Sequence, residues 1–264
     1  MPMQPSLFIS HGSPMMLVQD SELRDFLCGL GDTLNAAYGR PDAILIASAH
    51  WLTPRPAVGG AGALETIYDF YGFPEAMYKI TYTPPGAPEL AVRASAALAE
   101  VGIEPEHDKV RGLDHGAWVP LRYMYPDADI PVAQVSVQPH LGPAHHLALG
   151  SALKAMGAAN ILVIGSGNLT HNLGEMGRAR GDDAPADWAV DFAEWVKSAL
   201  DEGRSAELIN YLRHAPDGRR AHPTDEHFLP LFLAMGACGE AVRPARIHTS
   251  YTGGAVCNDC YQFG

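Results

Sequence analysis

Positive charge is scarce in this chain. Eighteen lysines and arginines stand against thirty aspartates and glutamates, for a formal net charge of −12. A duplex-binding surface needs clustered Lys and Arg, so the composition argues against a nucleic-acid partner. Cysteine is sparse too, with four in 264 residues: Cys28, Cys238, Cys257 and Cys260. Only Cys257-Asn258-Asp259-Cys260 brings two close together. A lone C-x-x-C without a second pair or a following βαβ unit is poor evidence for zinc or redox chemistry. The thiols read as reduced, which suits a cytosolic protein. Long apolar runs are missing. The longest stretch free of Asp, Glu, Lys and Arg is residues 130–153, and its three prolines, three histidines and two glutamines rule it out as a membrane span. No positive charge precedes the first apolar run, so no secretory signal is read and a cytoplasmic location is expected. Repeats, low complexity and linkers are not visible.

Histidine is plentiful, with twelve, and its placement organises the chain. Leu7-Phe8-Ile9-Ser10 reads as a short buried strand that ends at His11, where Gly12 and Pro14 break regular structure. The pattern recurs in Ala43-Ile44-Leu45-Ile46-Ala47-Ser48-Ala49-His50, and more loosely in Ile161-Leu162-Val163-Ile164-Gly165-Ser166-Gly167-Asn168-Leu169-Thr170-His171. In open α/β sheets, ligands bind outside the carboxyl ends of the strands. Three strands that each deliver a histidine to that edge suggest a metal or acid–base site.

Between these strands the chain alternates with helices. Helices are expected over residues 21–38 with Ser21 as N-cap, 88–102, 143–156, 186–200 and 207–212. His145 and His146 are expected in an exposed first turn. Further strands are expected at 104–110, on the sheet edge, and at 132–137 and 245–249. Residues 57–86 are rich in Gly, Pro and aromatics; they read either as a pocket wall or as a loop packed on itself. Residues 181–185 and 251–254 read as loops. A last helix runs to residue 235, starting near Thr224 or near Pro230. An early start would turn His227 inward and Glu226 outward; a late start removes that argument. The alternation predicts one α/β domain over 1–264, a mixed central sheet flanked by helices, with the site at the C-terminal strand ends.

The candidate site residues are His11, His50, His115, His171, His222 and His227. Neutral imidazole ligates Zn(II) and Fe(II), but no spacing here matches a helical His-x-x-x-His or a Cys/His finger. By residue type alone, a metal site and a set of satisfied core histidines stay equally open.

Five motifs together resemble the class III extradiol ring-cleaving dioxygenases. They are His11-Gly12-Ser13-Pro14, Ser48-Ala49-His50-Trp51, Leu113-Asp114-His115-Gly116, Gly165-Ser166-Gly167-Asn168-Leu169-Thr170-His171-Asn172 and His222-Pro223-Thr224-Asp225-Glu226-His227. The nearest branch is the DOPA 4,5-dioxygenase type, related to the B subunit of protocatechuate 4,5-dioxygenase. The motifs keep the family's order from residue 11 to residue 227. The resemblance implies Fe(II) held by His11, His50 and His227, with Glu226 as second choice for the third ligand. It implies His171 as acid–base and His115 on the substrate side, with His222 in a supporting place. Ser13 and Tyr251 are expected near the substrate. The implied reaction cleaves a catechol, L-DOPA or a relative, with O2, next to its two hydroxyls rather than between them. If His171 also reached the metal, four imidazoles could close a tetrahedral zinc site in purified protein. A zinc hydrolase and a non-catalytic binding protein on the same fold are the rival readings. A homodimer is expected on base rates alone.

Overall fold

In the computed structural model, residues 3–177, 184–238 and 244–264 are described. The apolar runs become the buried strands of one sheet. β1 (Ser6–Ser10) leads into α1 (Glu22–Tyr38), whose first turn is capped by the Ser21 hydroxyl accepting the Arg24 N–H. β2 (Ala43–Leu52) and β3 (Ala57–Gly59) precede α2 (Pro88–Glu100), and β4 (Glu106–Asp108) precedes α3 (His115–Met124). β5 (Val132–Val137), α4 (Gly142–Leu153), α5 (Ala155–Ala158) and β6 (Ile161–Gly167) follow. A helical stretch then runs through α6 (Asp187–Asp201), α7 (Ser205–Ile209), α8 (Tyr211–His214), α9 (Gly218–Ala221) and α10 (Leu229–Cys238). β7 (Pro244–His248), β8 (Tyr251–Thr252), β9 (Val256–Cys257) and β10 (Cys260–Phe263) complete the order.

The eight-stranded sheet runs β4-β3-β5-β2-β6-β1-β10-β7. Its centre, β5-β2-β6-β1, is parallel. β3 joins β5 antiparallel, and β10 joins β1 antiparallel, so the sheet is mixed as expected. Alternate side chains of the central strands face opposite layers. Leu7, Ile9, Ile44, Ile46, Leu162 and Ile164 pack against α1 and α3. Leu45, Ala47, Ile161 and Val163 pack against α2 and α4, and Phe8 packs against α6 and α10. Helices on both faces explain why these strands are apolar throughout.

Several expectations need correction. β2 does not stop at residue 49 but continues to Leu52, with an irregularity against β5 between Ala47 and Leu52. The segment 57–86 contributes the short strand β3, and residues 251–252 form a hairpin with β9 instead of a loop. β10 gave no sequence signal. The last helix starts late, at Leu229, so the helical-face argument for His227 does not apply. His146 is fully buried, not exposed: its Nε2 accepts the Gln138 N–H and its Nδ1 donates to the Gly142 carbonyl. The expected loop at 181–185 lies partly outside the described residues.

Candidate active site

The site lies where β1, β2 and β6 end together. His11 follows β1 and ties its N–H to the Gly167 carbonyl at the end of β6, 2.9 Å away. His50 sits inside the irregular stretch of β2, which aims its ring out of the regular pleat. His227 arrives from far along the chain, on the segment that crosses β6 just before α10. Its carbonyl accepts the Asn168 N–H at 3.0 Å. The crossing is close because β6 is built from small residues there. A Cβ at Gly167 would lie 2.0 Å from the His227 carbonyl oxygen, and one at Gly165 would lie 2.0 Å from that of Pro230.

Three Nε2 atoms converge. His11 and His50 are 3.1 Å apart at Nε2, and His50 and His227 are 3.3 Å apart. One ligand atom from each of His11, His50 and His227 falls within 4.8 Å of the others, the spacing a single metal ion requires. The opposite edges of the His11 and His227 rings are hydrogen-bonded. Ser166 donates its hydroxyl to the Gly116 carbonyl and so accepts from His11 Nδ1, 3.1 Å away. Glu226 Oε1 accepts from His227 Nδ1 at 3.1 Å and from the Thr224 hydroxyl at 2.9 Å. His50 Nδ1 faces Asp69 Oδ2 at 3.6 Å. Outer partners of this kind fix ring orientation and leave Nε2 as a lone pair, the form a metal needs. Burial, reinforced by neighbouring imidazoles, holds His11 and His227 well below the ordinary histidine value. Burial likewise brings His50 down to about 3. The donor set is therefore neutral near pH 7, and it suits Fe(II) or Zn(II) equally by chemistry.

Two more imidazoles flank the triad. His171 stacks flat on His227, with ring centroids 3.4 Å apart and planes 10° from parallel. Burial lowers its pKa to about 4, against the pull of Glu226. His115 opens α3 and packs on His50, with ring centroids 3.9 Å apart. Gly116 allows that approach, since a Cβ there would lie 2.4 Å from the Ser48 hydroxyl and 2.9 Å from the His50 ring. Asp114 caps α3 and is itself held by Ser48 and Arg111.

A cavity of about 230 Å³ opens onto these rings. His11, His50, His115 and His171 form its floor, and Ser13, Pro14, Phe70, Phe73, Leu173, Met176, Thr252 and Val256 form its walls. The aromatic stretch of residues 57–86 thus supplies part of a pocket wall. Ser13 lines the cavity while its hydroxyl accepts the Met15 N–H. Thr252 lines it as well, whereas its neighbour Tyr251 packs on the cluster around α6. His222 lies in the core. Its Nε2 donates to the Leu169 carbonyl at 2.8 Å, and its ring stacks on Phe228, so it braces the segment that carries His171. Arg55 pairs with Glu106, Arg111 with Asp114, and Arg246 with Glu194 and Asp259. The four cysteines are free, and none joins a metal-competent cluster among the described residues.

Sequence reasoning missed Asp69 and Ser166. Asp69 Oδ1 accepts the His115 N–H at 2.8 Å, and its Oδ2 lies 2.9 Å from His115 Nδ1. Burial would raise this carboxyl, but the His115 contacts outweigh it and hold it below its ordinary value. Ser166 was visible only as part of a Gly-Ser-Gly run.

Comparison with known proteins agrees with this geometry. Residues 5–261 match the family described as the catalytic LigB subunit of aromatic ring-opening dioxygenase. A 4,5-DOPA dioxygenase extradiol of Beta vulgaris is 45% identical over 260 residues, covering 98% of this chain and 96% of the relative. A protein of the same description from Escherichia coli K12 is 40% identical over 236 residues, covering 88% and 84%. The crystal structure of an uncharacterized Escherichia coli K12 protein superposes with a TM-score of 0.83 at 35% identity, covering 99% of this chain and 100% of the other. The chain belongs to the family of the catalytic LigB subunit of aromatic ring-opening dioxygenase, as an extradiol member of it.

Proposed function

We propose that the chain cleaves a catechol ring beside its two hydroxyls, with Fe(II) held by His11, His50 and His227, with O2 as co-substrate, and with His171 as the acid–base. The observation that carries this reading is the convergence of three Nε2 atoms beside an apolar cavity, whose floor is formed by two of those rings and two further imidazoles. Fe(II) in that cluster supplies the redox chemistry that couples dioxygen to the ring. The residues do the rest. Phe70, Phe73 and the other apolar walls hold the flat ring and exclude water. His171, a neutral imidazole near pH 7, takes a proton from a catechol hydroxyl and returns it to the cleaved product. His171, Glu226 and His227 also offer ligand atoms within 4.8 Å of one another, but the near-parallel stack of the two rings points their in-plane lone pairs along parallel planes, which favours the acid–base role. His115 faces the same space and receives a hydrogen bond from the substrate. Ser13 stands at the rim as a second polar contact.

Glu226 is assigned first as the partner of His227, since its Oε1 accepts from His227 Nδ1 and Thr224; it stays second choice as a ligand, being in a group with His171 and His227 that could hold an ion. The hydrolase and binding-protein alternatives give way to membership of a ring-opening dioxygenase family. L-DOPA is the first substrate to test, on the names of the relatives. We place the protein in the cytoplasm as a homodimer; among the described residues no helix is long and apolar enough to cross a membrane.

The test is anaerobic reconstitution with Fe(II), then L-DOPA and simple catechols in air, following oxygen uptake and a new yellow absorbance. Uptake matched to a coloured ring-opened product is expected. No uptake with any catechol, with zinc tightly retained, would overturn the iron and dioxygen assignment.

A further inference from the structure

Asp69 belongs to the irregular stretch between β3 and α2, yet its position is tightly set. Ile67 donates its N–H to the Leu113 carbonyl at 2.8 Å, and Thr66 pairs with Leu113 in a short parallel bridge. The Trp118 indole N–H reaches back to the Ile67 carbonyl at 3.1 Å. The Tyr68 hydroxyl donates to the Ile80 carbonyl at 3.0 Å. These ties lay residues 66–69 along the approach to α3 and bring the carboxylate to its first residue. There Oδ1 accepts the His115 backbone N–H at 2.8 Å. Oδ2 lies 2.9 Å from Nδ1 of the same residue and 3.6 Å from Nδ1 of His50.

A carboxylate only accepts hydrogen bonds. Its contact with His115 therefore places the ring proton on Nδ1. In a neutral imidazole that leaves Nε2 as a lone pair, on the side of the ring away from Asp69. We propose that Asp69 is a positioning residue, which locks His115 as the Nδ1–H tautomer so that Nε2 presents an acceptor to a substrate hydroxyl. The same oxygen faces the outer edge of His50 at 3.6 Å, beyond hydrogen-bond reach. The role rests on the reading that His115 meets the substrate.

Asp69→Asn gives a sharp test. The backbone N–H of His115 remains an obligatory donor, so the amide oxygen of the new side chain keeps that contact. The amide nitrogen then meets Nδ1 as a donor and drives the ring proton to Nε2. The change preserves shape and inverts the tautomer, as in the Asp-to-Asn variant of the serine-protease triad. The readout is long-range proton–nitrogen correlation NMR of zinc-loaded, nitrogen-15-histidine protein at a pH of about 8, where imidazole is neutral. The His115 signal is identified by its loss in His115→Gln. We expect wild-type His115 as the Nδ1–H form and the Asp69→Asn protein as the Nε2–H form. With Fe(II), kcat/KM for a catechol should fall about 10–100-fold at unchanged metal content. A wild-type Nε2–H tautomer would overturn the inference, as would an unchanged tautomer in Asp69→Asn or wild-type turnover once the tautomer has inverted. If wild-type protein turned over no catechol at all, the catalytic reading would fail on its own, and the spectra would still decide whether Asp69 sets the tautomer.

Discussion

At the residue scale, each ring of the triad turns Nε2 to its neighbours, and His11 and His227 have Nδ1 hydrogen-bonded while His50 Nδ1 faces a carboxylate at 3.6 Å. His11→Ala or His50→Ala removes one of three donors, and stoichiometric metal should be lost on dialysis. Metal analysis that found full occupancy in both variants would refute the ligand set. Glu226→Gln should retain the fold but weaken metal binding about 10–100-fold, since an amide holds His227 less firmly than a carboxylate. Metal competition with a chelator measures this directly, and an unaltered affinity would remove Glu226 from the site. His171→Ala should keep the metal and lose about 10²–10⁴-fold in kcat, the usual worth of a positioned acid–base. Turnover at the wild-type rate would end that assignment. Much of this was legible in the chain, because a histidine that ends an apolar run is conspicuous. Asp69 and Ser166 were not. An aspartate in an irregular stretch and a serine between glycines carry no local signal, and their roles exist only once residues 66–69 lie beside residue 113 and β6 lies beside β1. His146 misled for the opposite reason: beside His145 and an expected helix start it reads as surface, while its burial is set by packing of distant parts.

At the scale of elements, the site depends on how closely the segment before α10 can cross β6. Gly167 leaves no room for a methyl group against the His227 carbonyl. Gly167→Ala should push that segment away, costing about 1–3 kcal/mol of stability and weakening metal binding more than a surface substitution would. Denaturant melts and metal titration would check both, and wild-type values in each would show that the crossing is looser than the geometry implies. Apolar patterning announced β1, β2, β5 and β6 because both faces of each are covered. β3 and β10 stayed hidden. The first has only three residues, and the second has four, wedged between nearby β7 and a strand more than two hundred positions away that no local window can sense. The start of α10 was ambiguous in the chain, and the crossing over Gly165 and Gly167 settles it: residues 225–228 turn to meet β6 before the helix begins.

At the scale of the whole molecule, buried histidines make folding sensitive to acid. Burial holds His146 at about 4 and His222 at about 3, against about 6.5 in an unfolded chain. A depressed folded-state value means that the unfolded state binds the proton more readily. The stabilisation is therefore fully present above about pH 6.5 and lost as pH falls from there toward about 4. His146 alone accounts for about 2–3 kcal/mol between about pH 7 and about pH 4.5. Chemical denaturation at these two pH values should show a smaller difference in His146→Leu than in wild type. Equal differences would mean that His146 is not the group responsible.

The sheet order carries one more consequence. β1 lies between β6 and β10, so its backbone finds no neighbour until residues 161–167 exist. During synthesis its apolar side chains and bare edges leave the ribosome well ahead of either partner. α1 can cover one face early, but both strands that pair with β1 are distant in sequence, which slows folding and leaves an adhesive segment exposed meanwhile. The strand that delivers the first metal-site histidine is thus also the part of the nascent chain most in need of shelter.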